Sequence, residues 1–318
     1  MKIGSAAACL MLVLGNASAA LAAEGGTGWY LLGSKTELSG YLPPPGVYAQ
    51  SLNYYYTGSA NVDLSVAGLT LSGGVDADAF YSLPTALWVL DQPILGGHLA
   101  LSATAPIGWK DVRAGASLTG PGGAAIGTDI GDEDVNFGDP VLGATLGWHE
   151  GKFNWTLGAL VNVPIGYWEK GNLSNIGFNH WGIDTTVAMT WLDPELGAEI
   201  STSAGLTFNF ENPDTNYTSG TELHAEFAIT KFVSPQFSFG LVGYYYDQIT
   251  GDSGAGAKLG DFKGHVVGIG PAVNYTFMAG ETPIATNLRY FHEFDVENRL
   301  SGEAFFLVVT VPVTSARP

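Results

Sequence analysis

The sequence predicts an all-β chain, a transmembrane antiparallel β-barrel of about twelve strands. Three observations carry that reading. From about residue 46 to 313 the chain divides into a dozen segments with apolar and polar residues in alternation. Their connections alternate in length, with tight turns at Asp91-Gln92-Pro93, Glu150-Gly151, Asp193-Pro194, Ser234-Pro235 and Gly280-Glu281, and longer loops near 58–74, 109–133, 167–180, 211–219 and 250–261. Outer-membrane barrels sort their connections this way, with short periplasmic turns and long outer loops. Finally, the N-terminus carries an export signal.

That signal occupies residues 1–22. Lys2 supplies the positive start, Ala6 to Leu14 the apolar run, and Ala20-Leu21-Ala22 a small-x-small cleavage site. The apolar run is too short to cross a bilayer as a helix. Cys9, the one cysteine, lies inside it, so a cleaved chain has no thiol for a disulfide or a metal. About 296 residues then remain, enough for one large barrel. The expected destination is the outer membrane of a Gram-negative cell, reached by Sec export.

Residues 23–45 form an N-terminal segment before the barrel, which takes 46–318. The segment holds Trp29-Tyr30-Leu31-Leu32 and the stiff run Pro43-Pro44-Pro45-Gly46, which favours an extended conformation. It is either a periplasmic tail or a small plug in the barrel mouth. As a plug, Trp29, Tyr30, Pro43, Pro44 and Pro45 would form its apolar handhold.

The predicted strands run over 46–57, 75–90, 94–108, 134–149, 152–166, 181–192, 195–210, 220–232, 236–248, 262–278, 283–296 and 301–313. Each leaves the roughly 9–11 residues that a tilted strand needs to cross the hydrocarbon core. In one, Trp181, Ile183, Val187 and Met189 share a face, and His180, Asp184, Thr186 and Thr190 the other. In another, Leu223, Ala225, Phe227 and Ile229 oppose Glu222, His224, Glu226 and Thr230. Strand length and export place the apolar face outward, against lipid. Closure then satisfies every backbone group in the membrane. The aromatic runs Tyr54-Tyr55-Tyr56, Tyr167-Trp168 and Tyr244-Tyr245-Tyr246 are expected to form interfacial girdles. The last strand fits less well, because Phe306 and Val308 fall on its supposedly polar face and it lacks a terminal aromatic.

The inward faces would collect Asp184, His180, Glu222, His224, Glu226, Arg289 and Glu293, together with Asp76, Asp78, His98, Glu199 and Asp295. Such a lining makes either a hydrated channel or a polar plug of paired charges, and Arg289 beside Glu293 suggests a pair. His224 between Glu222 and Glu226 has spacing compatible with a metal, but one histidine on one strand favours a hydrogen-bonded network. No cofactor is called for. The precursor charge of −18, with scattered Lys and Arg, argues against nucleic acid. Outer-loop acids such as Asp129, Asp132, Glu133 and Asp134 serve solubility or bridge cations to lipopolysaccharide. Gly251-Asp252-Ser253-Gly254 lies in a Gly-rich loop without catalytic partners, and there is no Gly-x-Ser-x-Gly elbow or Walker lysine. An enzyme is therefore not expected.

Several stretches resemble the family named putative meta-pathway of phenol degradation. They are Tyr41-Leu42-Pro43-Pro44-Pro45-Gly46-Val47-Tyr48, Gly138-Asp139-Pro140 through Gly147-Trp148-His149, Asn175-Ile176-Gly177-Phe178-Asn179-His180-Trp181, Tyr217-Thr218-Ser219-Gly220 with His224, and Tyr244 to Gly270. The resemblance implies an exported barrel for uptake of small hydrophobic or aromatic solutes, with lipid and lipopolysaccharide as surroundings and no catalytic residues. The alternatives are a closed structural or surface-interaction barrel and, less favoured, an outer-membrane hydrolase. Substrate and oligomeric state are not legible.

Overall fold

The structure, a computed structural model, describes residues 24–315 apart from 67–68, 120–122 and Leu259. The predicted signal peptide lies outside the described residues. Fourteen strand segments follow a short 3-10 turn at Glu24–Gly26: β1 (Gly46–Val66), β2 (Leu69–Ile94), β3 (Gly97–Thr104), β4 (Ile107–Thr119), β5 (Ala125–Phe137), β6 (Val141–Glu150) and β7 (Phe153–Asn162). The remainder are β8 (Gly182–Asp193), β9 (Ala198–Asn209), β10 (Glu222–Phe232), β11 (Phe237–Gln248), β12 (His265–Ala279), β13 (Thr282–Glu297) and β14 (Ser301–Ser315).

They make twelve staves. β3 and β4 both pair with β2, from Thr85↔Thr104 to Ser82↔Ile107, and are one strand broken at Ala105-Pro106. β5 and β6 pair with β4 and β3 in the same way and are broken at Gly138-Asp139-Pro140. Pairing of β1 with both β2 and β14 closes the antiparallel barrel. Pro84, Pro106 and Pro140 lie next to one another across this part of the wall. Proline brings no N–H to a ladder, so a run of three interrupts the wall there. Local bonds bridge the fault, from Ala105 N to Pro84 O at 3.0 Å and from Gly138 N to Pro106 O at 2.9 Å.

Over β7–β10 the wall has the predicted polarity. Along β8, Asp184, Thr186 and Thr190 are buried, whereas Val187 and Met189 are exposed. Leu157, Ile200, Ile229, Leu241 and Leu288 are likewise exposed, giving an apolar outer belt. Pairing of Gly46 with Ser315 puts the two barrel termini at the short-turn end, as an even stave number requires.

Two predicted loops, 58–74 and 109–133, are mostly strand. Ser59 to Val66 pairs with Asp76 to Leu69, and Asp111 to Thr119 with Glu133 to Ala125. Gly, Ser, Thr and Asp in these stretches look like loop composition, yet the ladder simply continues from the apolar part of each strand. Strand resumes at Leu69 after Val66, at Ala125 after Thr119 and at Ser301 after Glu297, so long connections at this end are confined to 163–181, 210–221 and 249–264. The far edge of β5 has no strand neighbour among the described residues. The segment 163–181 lies against it, through Tyr167 N to Phe137 O at 2.8 Å and Leu173 N to Asp132 Oδ2 at 2.9 Å.

Four of the tyrosines expected in interfacial girdles turn inward. Three consecutive residues on a strand cannot share a face. Tyr55 and Tyr245 face outward, while Tyr54, Tyr56, Tyr244 and Tyr246 pack inside around Phe291 and Phe306. That apolar cluster also explains the last strand, whose Ala304, Phe306 and Val308 meet an aromatic sector of the interior instead of a polar one.

Candidate functional site

Residues 24–45 run through the barrel from the long-loop end to the short-turn end. At the loop end, Glu24 N donates to Ser219 Oγ at 3.1 Å, and Asn212 Nδ2 donates to Glu24 Oε2 at 2.9 Å. Burial pushes the Glu24 carboxyl above its ordinary value, with the Asp252 carboxylate adding to the rise and hydrogen bonds from Thr215 and Asn212 opposing it. Nearby, Tyr217 donates to Asp252; burial and that carboxylate raise the phenol well above its usual range.

Lower down, the segment has no sheet to satisfy its backbone, and wall side chains do so instead. Glu226 accepts from Lys35 N at 2.7 Å and from Tyr30 Oη at 2.8 Å. Glu199 accepts from Leu38 N at 2.6 Å, and Thr190 Oγ1 from Gly40 N at 2.9 Å. Ser203 and Thr156 donate to Lys35 O and Ser39 O. From the opposite wall, Arg289 Nη1 donates to Gly33 O at 2.8 Å and Thr36 Oγ1 at 2.7 Å, and lies 3.7 Å from Glu37. Two glycines permit this close approach. A Cβ on Gly40 would sit 2.5 Å from Thr190 N, and one on Gly182 would sit 2.1 Å from the Trp29 indole nitrogen.

The predicted interior residues divide between several jobs. Asp184 and His224 bond at 2.8 Å, and Thr186 and Thr207 donate to the same carboxylate at 2.6 and 2.8 Å. His224 stacks on Tyr30, ring centres 3.7 Å apart. Glu222 is buried and accepts from Asn209 at 3.2 Å. His180, buried just before β8, bonds Trp181 O at 3.0 Å, and Asn162 Nδ2 bridges its carbonyl to the Asp139 carboxylate. The suggested Arg289–Glu293 pair does not form. Arg289 turns to the segment, and Glu293 accepts from Tyr56 and Tyr244 Oη, both at 2.8 Å. Asp76 and Asp78 take the outer parity of β2, because Ala77 and Ala79 are the buried residues there, and Asp295 is exposed. Trp29 and Tyr30 are buried against the wall, whereas Pro43, Pro44 and Pro45 lie at the short-turn end, where Tyr48 Oη donates to Pro44 O.

The interior therefore has two sides. Carboxylates, hydroxyls and His224 on β8–β10 grip the segment. On its other side a cavity of about 160 Å³ lies between the segment and the β1–β2–β4 wall. Trp29, Leu31, Tyr54, Tyr81, Val112 and Leu300 are among its lining, with Pro106, Gly138, Asp139, Ile176 and Phe178 at the fault in the wall. A cavity of about 150 Å³ lined by aliphatic and aromatic side chains suffices to hold benzene. The sequence reading missed Glu37, Lys110 and Arg299, which also face the interior. Lys110 was hidden because its stretch was read as loop; its parity with Val112 and Ala114 would have turned it inward.

The family profile described as "Putative MetA-pathway of phenol degradation" matches residues 55–308. Among solved structures, the COG4313 outer membrane channel from Pseudomonas putida F1 is similar, with a TM-score of 0.61, 15% identity, and coverage of 89% of this chain and 99% of that one. More distant matches include a Pseudomonas aeruginosa FadL homologue (TM-score 0.40, 9% identity, 94% and 98% coverage) and the CymD monoaromatic hydrocarbon channel (0.42, 10%, 87% and 91%). No curated protein matches by sequence.

Proposed function

The chain belongs to the "Putative MetA-pathway of phenol degradation" family, and on that premise we propose that it is an outer-membrane channel admitting small aromatic or hydrophobic compounds. The observation that carries this reading is the cavity between the threaded segment and the wall, with its aromatic and aliphatic lining and room for about one ring. The apolar belt faces lipid, with lipopolysaccharide around the loop end. The short turns face the periplasm, after export and removal of residues 1–22. Residues 24–45 act as a plug that blocks water and ions, because their bonds to Glu199, Glu226 and Arg289 fill the polar side of the interior. A ring then passes along the apolar side. Access lies where the segment 163–181 closes the wall beside β5, since Ile176 and Phe178 of that segment border the cavity. The role is passage without chemistry.

The test is uptake of labelled benzyl alcohol into vesicles with a lipopolysaccharide outer leaflet, against a heat-denatured control. Saturable uptake is the expected outcome. A barrel shown folded by its heat-modifiable gel shift, yet admitting no ring compound, would instead be a closed structural barrel.

A further inference from the structure

Lys110 lies on β4, inside the barrel, and lines the cavity at 9% exposure. Among the described residues its ammonium has no hydrogen-bond or ion-pair partner. Asp134, directly opposite on β5, is engaged by Asn172. The two carboxylates that line the cavity are already held by donors. Asp139 accepts from Asn162 Nδ2 at 3.1 Å, Gly166 N at 2.7 Å and Phe178 N at 2.8 Å. Glu293 accepts from Tyr56 and Tyr244 and from Gly302 N at 3.0 Å. Arg299, the other cation at the cavity, lies 4.2 Å over the Tyr246 ring and leaves Nη1 unbonded; Trp29 Nε1 is unbonded too. The groups left over at this cavity are thus donors. A buried cation without a partner is costly, and a hydrocarbon would leave it so.

We propose that the cavity is a binding site for monocyclic carboxylates, with the Lys110 ammonium pairing the carboxylate and Tyr54, Tyr81, Val112 and Leu300 enclosing the ring. The idea rests on the transport reading above and narrows it from hydrophobic rings in general to rings that carry an anion. A carboxylate beside an ammonium in a poorly hydrated site gains a charge-assisted bond that an amide of equal shape does not match. Lys110 is then a selectivity residue.

The experiment is calorimetric titration of the full mature chain, refolded in amphipol, with benzoate and with its neutral isostere benzamide. Folding is checked for each variant by the gel shift. The expected result is benzoate binding at least about tenfold tighter than benzamide. Lys110→Met should abolish that preference while benzamide still binds, and Lys110→Arg should keep most of it. Benzamide binding without any preference for benzoate, or a preference that survives Lys110→Met, overturns this inference alone. A folded barrel that binds neither compound overturns the cavity reading as well.

Discussion

Glu226→Ala should loosen the threaded segment without unfolding the barrel. Glu226 is 1% exposed and accepts two bonds from that segment, at 2.7 Å from Lys35 N and 2.8 Å from Tyr30 Oη. Each bond to a buried carboxylate contributes roughly 1.5–3 kcal/mol. Removing a buried carboxylate also relieves its desolvation, which offsets part of the loss. A net local cost of about 2–4 kcal/mol follows, confined to residues near 28–40, because β9 and β11 still pair with β10 along its length. Hydrogen exchange reads local opening directly, and this cost corresponds to acceleration by roughly 30- to 1000-fold. The assay is mass-spectrometric exchange of the refolded chain, comparing peptides over 28–40 with peptides over β8–β10. Exchange near 28–40 at the wild-type rate, with unchanged barrel strands, would refute the idea that wall carboxylates hold the segment. Conductance should stay near zero in this single variant, since Glu199, Thr190 and Arg289 remain as tethers.

Other perturbations test the remaining parts. Ala77→Phe projects a ring into the cavity and should abolish saturable uptake of benzyl alcohol, while the gel shift persists. Val187→Arg puts a charge on the lipid face of β8 and should lower folding stability in bilayers by about 2–4 kcal/mol, read by urea titration of the gel shift. Asp184→Asn weakens a carboxylate that accepts from His224, Thr186 and Thr207, and the same titration should show a loss of about 2–3 kcal/mol. Cys9, within the predicted signal peptide, is the one cysteine of the sequence, so in a chain made from residue 23 onward Asp132→Cys with Ser174→Cys can be oxidised to fasten the segment 163–181 to β5. Uptake should fall on oxidation and return on reduction; uptake indifferent to the cross-link would remove that stretch of wall as the point of access.

The amino-acid sequence by itself determined the barrel and a stave number of about twelve, and it gave the polarity of the wall over β7–β10. Side chains on a strand alternate between two faces, so Val187 and Met189 against Asp184 and Thr186 define an apolar and a polar face, and strand length with the export signal decides which one meets lipid. It also identified the buried ionisable residues on β10 and β13, because an inward carboxylate is a departure from apolar pattern that parity alone reveals. Partners across the interior were decided only by the tertiary structure. Arg289 and Glu293 share a face four residues apart, yet one bonds to a segment some 250 positions earlier and the other to tyrosines on β1 and β11. Closure brings such groups together, and no local spacing encodes it. The course of residues 24–45 is likewise tertiary, since their backbone is satisfied by side chains from at least five strands and has no periodicity of its own. Ser59 to Val66 and Asp111 to Thr119 teach the opposite lesson. Val62-Asp63-Leu64-Ser65-Val66 and Val112-Arg113-Ala114-Gly115-Ala116-Ser117-Leu118 alternate with period two, so the strand signal was present there and a loop-like composition outweighed it.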